Sequence, residues 1–185
     1  MNISVLIWDK NVSKEARESI ENQEEVKATI YDALEYKDKN HAAYVAANNS
    51  PYLMISNGAT IFKPDCLRKH AKVLQECPHV TIVYSDYRVC DREVEWYQYN
   101  MTFDSRTPAI PPYCMIRSDV FLGMRGFDMN SYPLENTELY LRLLQTRSAQ
   151  HICEPLMKVF PIEEFTKEQI EQAQAYIRKK HYGPN

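Results

Sequence analysis

Apolar and polar positions along the chain repeat with two periods, and the switches between them outline alternating strands and helices. Residues 3–7 form a short apolar run, and the polar stretch behind it places Ser13, an N-cap type residue, ahead of the helical segment KEARESIEN. Residues 26–31 are again rich in β-formers, whereas 33–40 are charged and loop-like. A small alanine-rich helix is expected over 42–47, ended by Asn48, Asn49, Ser50 and Pro51, with a buried strand over 52–56. Lys63, Pro64 and Asp65 open a further helix in which Leu67, Ala71 and Leu74 share one face, and a strand at 80–84 follows. Residues 91–107 are polar and aromatic without a clear period, a pattern that suits a hairpin or an ordered excursion. Beyond Gly123 and Gly126, Leu139, Leu143 and Leu144 line one side of a helix, and a strand is expected at 157–160. Thr166 with Gln169 carries a capping-box signature for a last helix bearing Ile170, Ala173 and Ile177. Such alternation predicts an α/β sheet with helices on both faces.

The chain has 185 residues, 44% of them hydrophobic, enough for one core but not two, so a single domain over 1–185 is expected. A formal net charge of -3 gives no global basic field, which leaves nucleic acid and anionic membrane without support as main partners. The one basic run, from Arg178 to His181, reads as a solvated helix end that suits the helix dipole. Five cysteines, at 66, 77, 90, 114 and 153, form neither a CxxC pair nor a metal-ligand spacing, and their odd number fits a reducing compartment. The apolar run behind Met1 is too short for a signal peptide or a membrane span, so a soluble, cytoplasmic protein is expected. With four glycines, the chain has no GxGxxG or Walker loop to cradle a phosphate.

Three stretches carry a family likeness: ISVLIWDKN at the start, SPYLMISNGATIFKPDCL in the middle, and PPYCMIRSDVFLGMRGFDMNSYPLENTELYLRLL in the second half. In order and spacing they resemble the landmarks of family 2 glycosyltransferases, nucleotide-sugar enzymes of the GT-A fold. ISVLIWDKN resembles the first strand and turn, usually written VSVIIPTYN, with Asn11 on the family's Asn and Asp9 in the turn that flanks the base. ATIYDAL resembles the second strand, with Asp32 remaining of an acidic pair, and HICEPLMKV resembles the strand after the acceptor-side helix. The likeness covers about residues 3–160. It implies a Rossmann-like α/β/α sandwich of GT-A type with a mixed, mainly parallel sheet, divided into a nucleotide-binding half (1–90), an acceptor-side half (91–165) and a C-terminal helix (166–185). It also implies transfer of a sugar from a UDP- or GDP-linked donor to a glycan or other hydroxyl acceptor.

Departures from the family pattern fall on the positions that carry chemistry. Sugar transfer from a nucleotide diphosphate requires neutralisation of charge on the departing diphosphate, which GT-A enzymes usually achieve with Mg²⁺ or Mn²⁺ held by a DxD motif. Here those positions are Ser56, Asn57 and Gly58, so any Mn or Mg site is weakened by loss of the acids. The family's catalytic-base position is Asn136, an amide that cannot accept the proton, leaving Glu135 and Glu138 as neighbours able to substitute or simply to favour the helix dipole. Asp9, Asp32 and Asp86 sit at strand ends where α/β sheets bind ligands, and each also has a reading as a turn or loop residue. Lys63, Arg88 and Arg117 could supply fixed positive charge in place of a metal, or be surface charges. His41 and His151 lack partners at metal-ligand spacing, which points to structural or surface roles. The thirteen tyrosines suit sugar stacking and core packing alike.

Two functions follow: a small glycosyltransferase with weak or absent metal dependence, or a catalytically silent GT-A domain that binds a nucleotide, a glycan or a protein.

Overall fold

The computed structural model describes residues 1–8, 12–90, 95–98, 113–145, 148–160 and 165–183. In chain order the elements are β1 (Asn2–Ile7), α1 (Lys14–Glu21), β2 (Lys27–Asp32), α2 (Lys39–Asn49), β3 (Tyr52–Ser56), β4 (Ile61–Phe62), α3 (Cys66–Glu76), β5 (Val80–Cys90), β6 (Glu95–Gln98), β7 (Cys114–Arg117), α4 (Ser118–Gly123), α5 (Glu135–Leu144), β8 (Ser148–Val159) and α6 (Lys167–Tyr182). Short 3-10 turns precede α2 and α5, at Ala33–Glu35 and Met129–Ser131.

Local chemistry sets several boundaries. Ser13 caps α1 by accepting from the Ala16 amide at 3.0 Å, and Thr166 and Gln169 form the expected capping box at the start of α6. The alanine-rich helix is longer than its pattern indicates, because Asp38 accepts from the His41 amide at 2.8 Å and starts the helix at Lys39. β5 and β8 also outrun the expected 80–84 and 157–160, carrying polar residues such as Asp86, Arg88 and Gln150 within paired strand. Of the excursion expected at 91–107, β6 pairs antiparallel with the end of β5, and the rest lies outside the described residues.

The strands form one sheet in the order β2-β1-β3-β7-β5-β8-β4, with β6 on the outer part of β5. β1 pairs in parallel with β2 and β3, and β5 with β8 in the longest ladder, while the joins to β7, β4 and β6 are antiparallel. Strand periodicity divides the core into two layers. Val5, Ile7, Met54, Val83 and Met115 pack with Ile20 of α1 and with Leu67, Ala71 and Leu74 of α3. Leu6, Leu53, Ile55, Ile82 and Ile116 pack on the other face with the alanines of α2, Phe121 of α4 and Leu139 and Leu143 of α5. The α/β/α sandwich with a mixed sheet is therefore present. Among the described residues, no helix is long and apolar enough to cross a membrane.

Register fixes one further feature. Ile7 is paired with Asp32 on one side and Ser56 on the other, so the ends of β2, β1 and β3 stand in a row at the carboxyl edge of the sheet. Ligands of open α/β sheets bind outside this edge.

Candidate functional site

At that edge the tripeptide Ser56–Asn57–Gly58 folds into a turn that uses its own polar groups. Ser56 is fully buried and its hydroxyl donates to the Asn57 carbonyl at 3.3 Å. The Asn57 amide oxygen accepts from the Ala59 N–H at 3.1 Å and the Thr60 hydroxyl at 2.7 Å, and its Nδ2 donates to the Tyr113 hydroxyl at 2.9 Å. The Gly58 carbonyl accepts from the Ser13 amide at 2.8 Å and ties the turn to the start of α1. A hard divalent cation needs several anionic or carbonyl oxygens. These three residues offer no carboxylate, and the Asn57 side chain is already engaged, so they do not fit a metal. No group of three His, Cys, Asp or Glu side chains suited to a metal occurs among the described residues.

Asp32 also serves the backbone. Its Oδ1 accepts from the Leu34 amide at 3.0 Å and caps the 3-10 turn, which is the turn-aspartate reading. Asp9 lies outside the described residues.

From Asn57 a continuous line of contacts crosses the edge to α5. Tyr113 stacks on Trp8, just beyond β1, with ring centroids 6.3 Å apart and planes 11° from parallel. Lys39 Nζ sits 4.5 Å from the ring centroids of both Trp8 and Phe127 and forms an ion pair with Glu135. The Lys39 and Glu135 side chains are only 9% and 5% exposed. A cation in the first turn of α2 opposes the helix dipole, whereas Glu135 in the first turn of α5 suits it, so the pair offsets the cost at Lys39. Phe127 is placed by Asn40, whose amide oxygen accepts from the Phe127 N–H at 2.8 Å and whose Nδ2 donates to the Phe127 carbonyl at 2.7 Å. Gly126 permits this approach: its φ is +69°, and a Cβ there would stand 2.8 Å from Asn40 Oδ1. Two buried acceptors remain beside the pair, since neither Glu135 Oε2 nor Asn136 Oδ1 has a hydrogen-bond partner. Such atoms are costly in a closed core, which singles out this corner as a candidate site.

Glu138 is otherwise occupied. Fully buried, it accepts from Arg142 Nε at 2.8 and 3.0 Å, from Lys180 at 2.7 Å and from His181 at 3.1 Å. Burial works against its ionisation, but the hydrogen bonds of Lys180, Arg142 and His181 and the charge of Arg142 prevail and hold the carboxyl below its ordinary value. Asp128 is shifted down in the same sense, burial being outweighed by Lys180 at 2.6 Å and the Tyr176 hydroxyl at 2.7 Å. Together these bonds fasten α6 to α5.

Of the three cations weighed either as a substitute for a metal or as surface charges, Arg117 has a different task. Its guanidinium donates to the Val80 carbonyl at 2.8 Å, to Cys77 at 3.2 Å and to Leu74, capping the C-terminal end of α3. Lys63 and Arg88, with Lys158, line a cavity of about 150 Å³ floored by Ile61, Phe62 and Met157. His41 packs edge-on against Tyr36. His151 is hydrogen-bonded to Asp86 at 2.8 Å, outside any metal-ligand set among the described residues. Sequence reasoning passed over Trp8, Lys39, Tyr113 and Phe127, whose visible signal is a strand-end position or a cation next to a cap.

With this geometry in place, solved structures give a consistent comparison. The chain superimposes on the crystal structure of S. aureus TarS residues 1–349 in complex with UDP-GlcNAc at a TM-score of 0.68 and 12% identity, covering 96% of this chain and 65% of that one. The same TarS segment in complex with UDP gives 0.69 at 11% identity, with 96% and 64% coverage. The fold is that of the GT-A-like glycosyltransferases. A longer TarS structure matches at 0.69 over 97% of this chain and 39% of its own length. The present chain thus spans less than two thirds of the TarS chains it matches. Neither a protein-family model nor a curated protein sequence matches it.

Proposed function

We propose that the protein binds a nucleotide-diphosphate sugar, UDP-linked in the first instance, at the carboxyl edge of β1, β2 and β3, and transfers the sugar to a hydroxyl acceptor with Glu135 as the proton acceptor. The observation that carries this reading is the orphaned Glu135 Oε2 beside Lys39: a buried carboxylate oxygen, oriented by an ion pair through its other oxygen and left without a hydrogen-bond donor. In this reading Asp32 and Asp9 flank the base and ribose, the Ser56–Gly58 turn lies under the diphosphate, and Asn136 Oδ1 accepts from a sugar hydroxyl. Asp86 borders the same edge. The acceptor oxygen gives its proton to Glu135 as it bonds to the anomeric carbon and the bond to the diphosphate breaks. Lys39 is the cation built into this edge to meet the charge that develops. The TarS complexes with UDP and UDP-GlcNAc on the same fold support the donor class.

Calorimetric titration with UDP, GDP and their sugar conjugates, with and without Mn²⁺, followed by a transfer or hydrolysis assay, tests the proposal. Wild type and Glu135→Gln are expected to bind a UDP-sugar alike, with turnover about 100-fold lower in the variant. Equal turnover in both would remove Glu135 from the mechanism.

A second reading, a catalytically silent GT-A domain that binds a nucleotide, a glycan or a protein, draws on the full commitment of Asn57 to its turn and of Glu138 to Arg142, Lys180 and His181. Nucleotide binding without turnover of any donor is its signature.

A further inference from the structure

We propose that Cys153, His151 and Asp86 form a thiol–imidazole–carboxylate relay that makes Cys153 a nucleophile toward small anionic disulfides, and hence a site of S-thiolation. His151 and Cys153 are two apart on β8 and project from the same face. Cys153 Sγ lies 3.6 Å from His151 Nδ1, and His151 Nε2 lies 2.8 Å from Asp86 Oδ1. A hydrogen bond from Nε2–H to the carboxylate leaves the Nδ1 lone pair facing the thiol, the tautomer a base requires. The imidazole is also held in plane by Tyr84, stacked at 5.0 Å with rings 13° from parallel. Local strand geometry brings the third member in. The β5–β8 register breaks between Ser85 and Tyr87, where Asp86 stands opposite Pro155, and a bulge of this kind re-aims a side chain.

Selectivity rests on exposure, Cys77 and Cys90 being half-buried and the other two thiols fully so. Cys153 is exposed, whereas Cys66 and Cys114 are buried, and burial pushes the Cys114 thiol up to about 12 and the Cys66 thiol higher still. The preference for an anionic partner comes from the next step along the same strands. There Arg88 stands opposite Lys158, and both, with Lys63 and Pro155, line the cavity of about 150 Å³.

In the reaction, His151 Nδ1 takes the thiol proton as Sγ attacks one sulfur of the disulfide. A new S–S bond to Cys153 forms, the original S–S bond breaks, and the departing thiolate takes the proton from the imidazolium. The electron count is unchanged, since one disulfide replaces another.

The test uses the full chain with glutathione disulfide, and with neutral hydroxyethyl disulfide in parallel, followed by peptide mapping by mass spectrometry. Wild-type Cys153 is expected to react about tenfold or more faster than in the urea-unfolded chain and faster than half-buried Cys77. His151→Gln should abolish that advantage. Asp86→Asn, acting only by positioning the imidazole, should reduce it and flatten the dependence of rate on pH. Lys158→Ala should lower the rate with glutathione disulfide and leave the neutral probe unaffected. Circular dichroism confirms that each variant is folded. A folded wild type whose Cys153 reacts no faster than in urea, or a folded His151→Gln variant that reacts like wild type, overturns the proposal.

Discussion

Glu138 of α5 and Lys180 of α6 meet at 2.7 Å, at a carboxylate that solvent does not reach. Lys180 also bonds Asp128 at 2.6 Å, so one partly exposed ammonium joins α6 to the segments on either side of Glu135. Removing the carboxylate leaves Arg142, His181 and Lys180 facing an emptied buried site. Glu138→Ala is therefore expected to cost about 3–5 kcal/mol. Lys180→Ala should cost only about 1 kcal/mol, because Arg142 and His181 remain and the ammonium is partly screened by solvent. Urea denaturation measures both, and equal losses would refute this ranking.

Asn57→Ala should destabilise the protein through its turn. The substitution removes the acceptor of the Ala59 amide and the Thr60 hydroxyl and the donor to Tyr113, three bonds in a buried setting. A loss of about 2–3 kcal/mol is expected. Because Tyr113 stacks on Trp8, a shift in Trp8 emission should accompany it. A variant as stable as wild type would show that the turn does not depend on this side chain.

Arg117→Lys is expected to be costly despite keeping the charge. The guanidinium reaches the carbonyls of Leu74, Cys77 and Val80 at once, a fan that a single ammonium cannot reproduce. Both Arg117→Lys and Arg117→Ala should lower stability by about 1–3 kcal/mol, with nucleotide affinity unchanged. Loss of affinity in a fully stable Arg117→Lys protein would return this residue to the donor site.

The sequence made some of these relationships legible and hid others for a physical reason. The runs at β1, β3 and α3 and the caps Ser13 and Thr166 are written locally, through periodicity and capping chemistry, and the structure contains them. The end of β3 at Ser56 was legible too, in the apolar run over 52–56. Lys39 with Glu135 and Asp86 with His151 were not, since their partners lie 96 and 65 residues apart and only the assembled sheet joins them. The long strands β5 and β8 were underestimated for a related reason. Half-exposed Asp86, Arg88 and His151 interrupt the apolar pattern while their backbones stay in the ladder.

His70 provides a pH dependence whose sign can be worked out. The imidazole is fully buried in α3, Nδ1–H donates to the Cys66 carbonyl at 2.8 Å, and Nε2 has no partner. Burial disfavours the charged form and lowers the folded value to about 4, with the Cys66 bond acting in the opposite direction. An unfolded histidine titrates near 6.5, so between about 6.5 and 4 the unfolded chain binds a proton that the folded one does not. The contribution of neutral His70 is therefore complete above 6.5 and is lost as pH falls toward 4, about 3 kcal/mol in all. Further acidification acts on Asp128 and Glu138, whose folded values are depressed, and loosens α6 below the ordinary carboxylate range. In unfolding free energies measured from pH 4 to 8, the value for wild type minus that for His70→Gln should thus fall by about 3 kcal/mol toward low pH, the variant lacking the His70 part of the slope whatever its absolute stability. Parallel curves would mean that His70 titrates alike in the folded and unfolded chains.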